Sequence, residues 1–584
     1  MKQRWVCVAL AGALAGSMLA MAGCGETKNE NELWITFFKG GYGTEWATEL
    51  AAKFEAENEG VTVKVDPDSQ LIDAVPNMME NGTKYDLIFC HDVAWEDFVQ
   101  PGEIYCLDEL YATEVSDGVT FADRIWDETV LDSCTYLGPD GEEHYYKVPW
   151  TIGTAGIAYN VTVMDRIDGW FETANGQSYL ATATGGEDVS RRWNETPPAT
   201  YYDLWQYCND IVAAQLPVVE GDRDSGTVYP FTWSGPAEEW QWDYVVFDWW
   251  GQLAGPETVD TFKNLGNVTE DLKLDWAETD DPVMEVYDPD KYAVVKNADG
   301  TVNEEETTHI GFGEFKEAYR LWYNIVALNK TWSDEKVSSY SKFENEQAFA
   351  SGYAAMTPAA CWIENESKMY LERSGQTVSI MPTPVVSEVK LDANGEVIWP
   401  DESAEAVKTL DAIRATDASE HTVTVDGKTY DRVSFTSSFG DSVMIPEKAT
   451  NKELAVKFIL FMQEEENAQL FTKLSGGTIL PYKYDYASSF VDENGVDQAT
   501  LWQKAIFEID QNSTKFNNYT QHPMIRQTTL RGSARMTTIW PKNNYYYAKA
   551  WADPAGYAPD ALMDTIYSGE GGITTMWATY LREM

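Results

Sequence analysis

Cysteine is scarce in this chain, and its placement excludes more than its number does. Seven cysteines occur in 584 residues. No CxxC pair and no short Cys/His cluster is present, so neither a zinc module nor a disulfide framework has support. Cys7 and Cys24 fall in the first 25 residues, and the other five (Cys90, Cys106, Cys134, Cys208 and Cys361) are widely spaced. Free, buried thiols are expected there, with a single bridge such as Cys106–Cys134 as the most that could form. Positive charge is also short: 42 Lys and Arg stand against 95 Asp and Glu, a net charge of −53. Such a field repels phosphate backbones and anionic headgroups, which argues against nucleic-acid and membrane-surface roles. Catalytic signatures are missing as well. No GxSxG, HExxH, Walker loop or nicotinamide fingerprint occurs. With carboxylates this abundant, a pair placed for glycoside hydrolysis could be found anywhere, so abundance is no evidence for one. Asp222-x-Asp224-x-Gly226 has a calcium-loop look, but its twelfth position is Trp233 instead of an acid. No metal and no cofactor is expected.

The longest apolar run, Val6 to Ala22, is broken only by Ser17 and is rich in Gly and Ala. It is too short to read as a span of about 20 apolar residues. Lys2 and Arg4 precede it and Ala22-Gly23-Cys24 closes it, which are the parts of a secretion signal. The closing residues resemble a lipobox, whose cysteine is acylated and becomes the mature N-terminus; Met21 stands where Leu is commonest. Residues 1–23 thus read as a signal peptide and 24–32 as a polar, lipid-anchored tether. The alternative is a freely secreted protein in which Cys24 is incidental. Both place the chain outside the cell membrane.

Behind the tether, Glu32–Phe38 reads as a strand and is followed by Lys39-Gly40-Gly41-Tyr42-Gly43. Ala47, Leu50, Ala51 and Phe54 then recur at helical spacing. Val61–Val65 alternates as a second strand, and Tyr85–Phe89 is a buried one that ends in His91-Asp92-Val93-Ala94-Trp95. Strands alternating with helices predict an α/β sheet, in which ligands bind beyond the carboxyl ends of the strands. The loops at Lys39–Tyr42 and His91–Trp95 lie at those ends.

Four stretches carry a family resemblance. In Tyr136–Asn160 a Pro139-Asp140-Gly141 turn joins two strands, and Tyr146-Lys147-Val148-Pro149 leads into a Gly-rich strand ending in Tyr159-Asn160. Tyr229-Pro230-Phe231-Thr232-Trp233 is the second, and Phe349–Met356 with Cys361-Trp362 is the third. Phe439-Gly440-Asp441-Ser442 opens the fourth, which runs through the helix Asn451–Gln463 to Gly476–Pro481. In this order the chain resembles an extracellular solute-binding protein of the sugar type, similar in layout to maltodextrin-binding proteins. The resemblance covers roughly Leu33 to Tyr484 and thins out toward the C-terminus. Ala158 stands where the family has a larger aliphatic. Three polar insertions also depart from it: Thr173–Glu195, Val259–His309 with an Asp299-Gly300 turn, and Val386–Arg432 with hairpin signals at Asn394-Gly395 and Asp426-Gly427.

The resemblance implies an α/β, two-lobed fold of the periplasmic-binding-protein kind, with crossing hinge strands and a ligand cleft between the lobes. Lobe 1 would hold 33–148 and 435–484, and lobe 2 would hold 149–384 and 485–584, with 385–434 inserted near the hinge. The implied role is a surface lipoprotein that delivers a carbohydrate, such as an oligosaccharide, to ABC importer permease subunits. A monomer is expected, touching the membrane through its lipid alone. Two alternatives stay open: a secreted glycoside hydrolase, and an adhesin that presents a glycan site without transport.

The aromatic content suits a sugar ligand. Twenty-three Trp and 32 Tyr are many for this length. The C–H face of a pyranose packs on an indole, while its hydroxyls need placed donors and acceptors. Trp150 and Trp233 are the first candidate platforms, followed by Trp362, Trp95, Trp240 and Trp540, the last beside Tyr545-Tyr546-Tyr547. Lys39, Tyr42, His91, Asp92, Phe439 and Asp441 are the candidates from strand-end loops. Trp249, Trp250 and Trp322 sit on helix-like stretches and are read as core.

Overall fold

A computed structural model describes residues 28–91, 93–173, 197–198, 201–218, 226–235, 241–255, 259, 287–288, 292–293, 308–309, 312–386, 390–391, 397–398, 422–425, 428–431, 433–436, 441–517 and 546–568. Two mixed sheets organise them.

The first sheet is centred on the strand Glu32–Phe38. Thr62–Asp68 lies parallel to it on one side, and Leu87–Cys90 lies parallel on the other. The strand Ser442–Met444 runs antiparallel to Leu87–Cys90, and Val148–Pro149 pairs antiparallel to Ser442–Met444 at the far edge. Helices cover both faces. The Glu45–Glu57 helix buries Trp46, Ala47, Leu50, Ala51 and Phe54, the stripe expected from the spacing plus the intervening Trp46. Its Phe54 meets Phe458 and Phe461 of the Lys452–Met462 helix edge-on, at 5.2 and 5.3 Å between ring centroids. On the opposite face, Leu71, Val75 and Met79 of the Leu71–Asn81 helix pack against Trp34 and Ile88. The buried carboxylate of Asp86 ties these parts together. It accepts hydrogen bonds from the Trp34 amide at 3.0 Å and the Asn451 amide at 2.9 Å, and it pairs with Lys28.

The second sheet is centred on Ala155–Asn160, which is antiparallel to both Ala354–Ala360 and Val378–Met381; Tyr229–Phe231 is parallel to Ala354–Ala360 at one edge. The Gly-rich sequence of the central strand has a steric cause. A Cβ at Gly156 would lie 2.3 Å from the Met381 carbonyl oxygen. The chain passes from the first sheet at Val148–Pro149 to the second at Ala155, and on the way Ile152 bridges to Ile479. This is the crossing expected of a two-lobed α/β fold. The helices Gln241–Ala254 and Phe312–Trp322 bury Trp242, Trp249, Trp250 and Trp322, so the three tryptophans read as core are core. The Leu501–Asn512 helix joins the same lobe, with Trp502 donating to the Cys361 carbonyl at 3.2 Å.

The hairpin signals are matched by pairing. Thr135–Leu137 and Glu143–Tyr145 flank Asp140-Gly141, and Gly141 has φ +87°. Lys390–Leu391 pairs with Val397–Ile398, and Thr422–Val425 pairs with Lys428–Asp431, on either side of Asn394-Gly395 and Asp426-Gly427. Most of the remaining insertion residues, together with Asp299-Gly300, Asp222 and Asp224, lie outside the described residues. None of the five cysteines among the described residues forms a disulfide, and four are buried. Cys106 is unbridged, in line with the expectation, but departs from it in being only half-buried. Among the described residues no helix is long and apolar enough to cross a membrane.

The second lobe encloses an acid. Asp243 is buried, and one of its oxygens accepts from both Tyr546, at 3.1 Å, and Tyr547, at 2.8 Å, whose ring packs on Trp322 and Tyr319. Burial pushes its carboxyl up to about 7 from 3.8, against the opposing pull of the two hydroxyls. The folded state therefore keeps a proton that the unfolded chain releases. This group's contribution to stability is full below about pH 4. It is lost as pH rises toward 7, at no more than about 1.4 kcal/mol per pH unit. Asp243→Asn removes the titration and keeps an oxygen for both hydroxyls. Urea unfolding from pH 4.5 to 7.5 should show the wild type losing stability relative to the variant; parallel profiles would contradict this account.

Candidate ligand site at the seam between the lobes

The carboxyl ends of the parallel strands meet where the sheet register brings distant loops together. Ser442 sits opposite both Cys90 and Pro149. Asp441 is therefore held next to His91 on one side and Trp150 on the other. Tyr42 reaches the same point from the loop after the first strand, and its hydroxyl donates to Asp441 Oδ2 at 3.0 Å. The Thr151 hydroxyl donates to the same oxygen and lies 3.1 Å from the Tyr42 hydroxyl. Burial raises the Asp441 carboxyl above its ordinary range; the nearby His91, the two hydroxyls and Lys147 act in the opposite direction. Burial also raises the Tyr42 phenol well above 10, so it stays a neutral donor. With each hydroxyl proton spent on Asp441, the cluster offers a ligand acceptor oxygens, the partners that sugar hydroxyls need as donors.

The second lobe closes on this loop. The Asn365 amide donates to the Gly41 carbonyl at 2.6 Å, and the Cβ of Trp362 lies where a Gly41 side chain would be. Trp362 is half-buried, with its ring edge-on to Tyr244 at 6.1 Å between centroids. Behind it, Asn345 donates to Thr357 at 3.2 Å and to Gln241 at 3.4 Å in a buried polar bed.

The candidates named from sequence divide clearly. Tyr42, His91, Trp150, Trp362 and Asp441 come together at the seam. His91 is half-buried and meets Phe38 edge-on at 4.2 Å. Lys39 is on the same loop but exposed, with its backbone amide on Asp68. Trp150 is 1% exposed, and its ring is packed by Tyr42, Trp46 and Phe89 at 5.0, 5.8 and 5.5 Å. Trp233 is 0% exposed and packs on Trp551. In this arrangement neither indole presents an open face, because each fills space in its lobe's core. Trp95 is buried on the other face of the first sheet, against Tyr136 and beneath the Lys147 ammonium. Tyr546 and Tyr547 likewise point into the core toward Asp243. Asp92, Trp240, Phe439, Trp540 and Cys24 lie outside the described residues. Sequence reasoning missed Thr151 and Asn365. Thr151 could have been found as the neighbour of Trp150, whereas nothing local marks Asn365.

The seam is testable without a ligand. Gly41 has no left-handed backbone angle, so Gly41→Ala costs no backbone strain. Its new methyl would lie 2.2 Å from Trp362 Cβ, a main-chain-anchored atom that cannot swing aside. Overpacking of this kind costs about 1–3 kcal/mol, which moves a two-state equilibrium roughly 5- to 150-fold. Small-angle scattering should show a larger radius of gyration for Gly41→Ala than for wild type; equal radii would mean that the lobes are not held here.

Comparison with known proteins supplies the frame for this site. A search of curated protein sequences finds no match. Among solved structures, the GacH receptor of Streptomyces glaucescens GLA.O, seen unliganded and with acarbose and an acarbose homolog, aligns over 94% of this chain and 99% of its own. The identity is 13% and the TM-score 0.50. A probable secreted solute-binding lipoprotein from Streptomyces coelicolor covers 96% of this chain and 100% of its own, at 10% identity and a TM-score of 0.50. At such identities the likeness is one of fold, that of two-lobed solute-binding proteins. The sequence model for bacterial extracellular solute-binding proteins matches residues 49–494. With that match over most of its length, the chain belongs to the bacterial extracellular solute-binding protein family.

Proposed function

We propose that this protein captures a carbohydrate between its lobes and delivers it to the permease of an ABC importer. The observation that carries the proposal is the cluster of Tyr42, Thr151 and Asp441 facing the Trp362–Asn365 segment across the seam. It pairs hydroxyl and carboxylate groups with an indole, the combination that a sugar's edges and faces demand. Lys39 and His91 border the cluster, and the unplaced Asp92, Trp240, Phe439 and Trp540 belong to the proposed site by their sequence positions. Trp150 and Trp233 serve it as walls that hold Tyr42 and the second lobe in place. Ligand would act by its differential contacts with open and closed arrangements. Binding of a ground-state sugar needs no opposed carboxylate pair, so a binding role without catalysis is the simpler reading. Cys24 would carry the lipid that keeps the protein, as a monomer, beside its permease.

The reading is checked by a thermal-shift screen over oligosaccharides, followed by recovery of the sugar. A ligand at 100 times its Kd should stabilise the protein by about 2.7 kcal/mol. Asp441→Asn should weaken binding by tenfold or more. The recovered sugar should be intact; steady release of reducing ends would make the protein a hydrolase. Failure of every carbohydrate to shift the melting temperature would remove sugars as the ligand class. Cys24→Ser should free the protein from the membrane, and unchanged membrane association would rule out the anchor.

A further inference from the structure

Apart from the seam residues, the first lobe gathers a set of metal-ligating groups that no motif in the sequence announces. Cys106 and Asp108 lie on the segment that enters the short Asp108–Tyr111 helix, and His144 lies on the Glu143–Tyr145 strand. The cysteine sulfur, an Asp108 oxygen and a His144 ring nitrogen all lie within 4.8 Å of one another. Asp108 Oδ2 is 2.6 Å from His144 Nδ1. On the far side of the ring, Asp140 Oδ2 is 2.9 Å from Nε2.

The supporting contacts hold these donors in place. Asp108 Oδ1 accepts from the Tyr145 amide at 2.8 Å, which fixes the carboxylate against the strand that carries His144. The Leu107 amide donates to the Tyr145 carbonyl at 2.7 Å and laces the two segments together. Asp140 sits in the Gly138–Glu142 turn, where its Oδ1 accepts from the Glu142 amide at 3.1 Å. A carboxylate on the outer nitrogen of a histidine is the usual way a metal-ligating imidazole is oriented and made more basic. His144 has that partner on Nε2, while Nδ1 meets Asp108. Solvent reaches the cluster: the side chains of His144, Asp108 and Asp140 are 23%, 44% and 59% exposed.

We propose that Cys106, Asp108 and His144 bind a divalent late first-row metal ion of the zinc type, with Asp140 as the positioning residue behind His144. Sulfur, imidazole and carboxylate together are a borderline-soft set, which favours zinc-like ions over calcium or magnesium. Zinc-to-ligand distances of about 2.0–2.3 Å put tetrahedral ligands roughly 3.3–3.8 Å apart. The three atoms reach that spacing by shifts of about an ångström, with water completing the fourth position. On binding, Cys106 loses its thiol proton and His144 the proton it shares with Asp108, both to solvent. The bound ion takes over the link between the 106–108 segment and the hairpin that the His144–Asp108 contact makes without it. The site is independent of the sugar reading, because none of its residues lies at the seam.

Cobalt(II) is the probe, since thiolate ligation adds a sulfur-to-metal charge-transfer band in the near ultraviolet to the visible bands of a tetrahedral ion. Titrating the whole protein with Co2+ should produce both, and Zn2+ should displace them. Cys106→Ser should abolish the charge-transfer band, and His144→Ala should abolish binding, with circular dichroism confirming the fold of each. Asp140→Asn should keep the band and weaken affinity about 10- to 100-fold, as loss of an outer carboxylate does. The proposal fails if Co2+ gives no thiolate band, if the band survives in Cys106→Ser, or if Asp140→Asn binds as tightly as wild type.

Discussion

The strand Ser442–Met444, inserted antiparallel between Leu87–Cys90 and Val148–Pro149, is the element on which the candidate site depends. Without it the first sheet would end at Leu87–Cys90, and Val148–Pro149 would have no partner in that sheet. Its register places Asp441 one residue beyond the paired strands, where Tyr42 and Thr151 converge on one carboxylate oxygen. A buried carboxylate is costly unless it is hydrogen-bonded. The two hydroxyl donors thus stabilise the acid and fix its geometry in one arrangement. Loops 399 and 290 residues away in the chain meet at that oxygen.

Aromatic side chains are used differently in the two lobes and at the seam. In the first lobe Trp46, Phe89, Trp150 and Phe471 form a cluster of edge-to-face and tilted rings next to the Asp441 site. In the second lobe Trp242, Trp322, Tyr319 and Tyr547 form a second cluster, and Tyr547 donates from it to Asp243. Such pairs add about 0.5–1.5 kcal/mol each beyond the area they bury. The wealth of tryptophan in this chain is therefore first a matter of building two rigid bodies. Among the described residues, Tyr42 from the first lobe and Trp362 from the second bring aromatic rings to the seam.

Sequence periodicity determined the local elements well. The ELWITFF strand occupies Glu32–Phe38, and the Asn451–Gln463 helix appears as Lys452–Met462 with its two flanking residues as caps. The strand–helix alternation and the ordered motifs announced a two-lobed α/β fold, and they placed Tyr42, His91 and Asp441 at strand ends. These are consequences of backbone geometry and side-chain spacing over a few residues, so they are legible locally. Whether an indole faces a ligand or a core is settled by what packs on it, and Trp150 and Trp233 are enclosed by residues far off in the chain. The same holds for Asn365 on Gly41, for Asp243 among Tyr546 and Tyr547, and for Cys106 beside His144. In each case a side chain from a remote segment supplies the partner, and only the tertiary fold brings the two within reach.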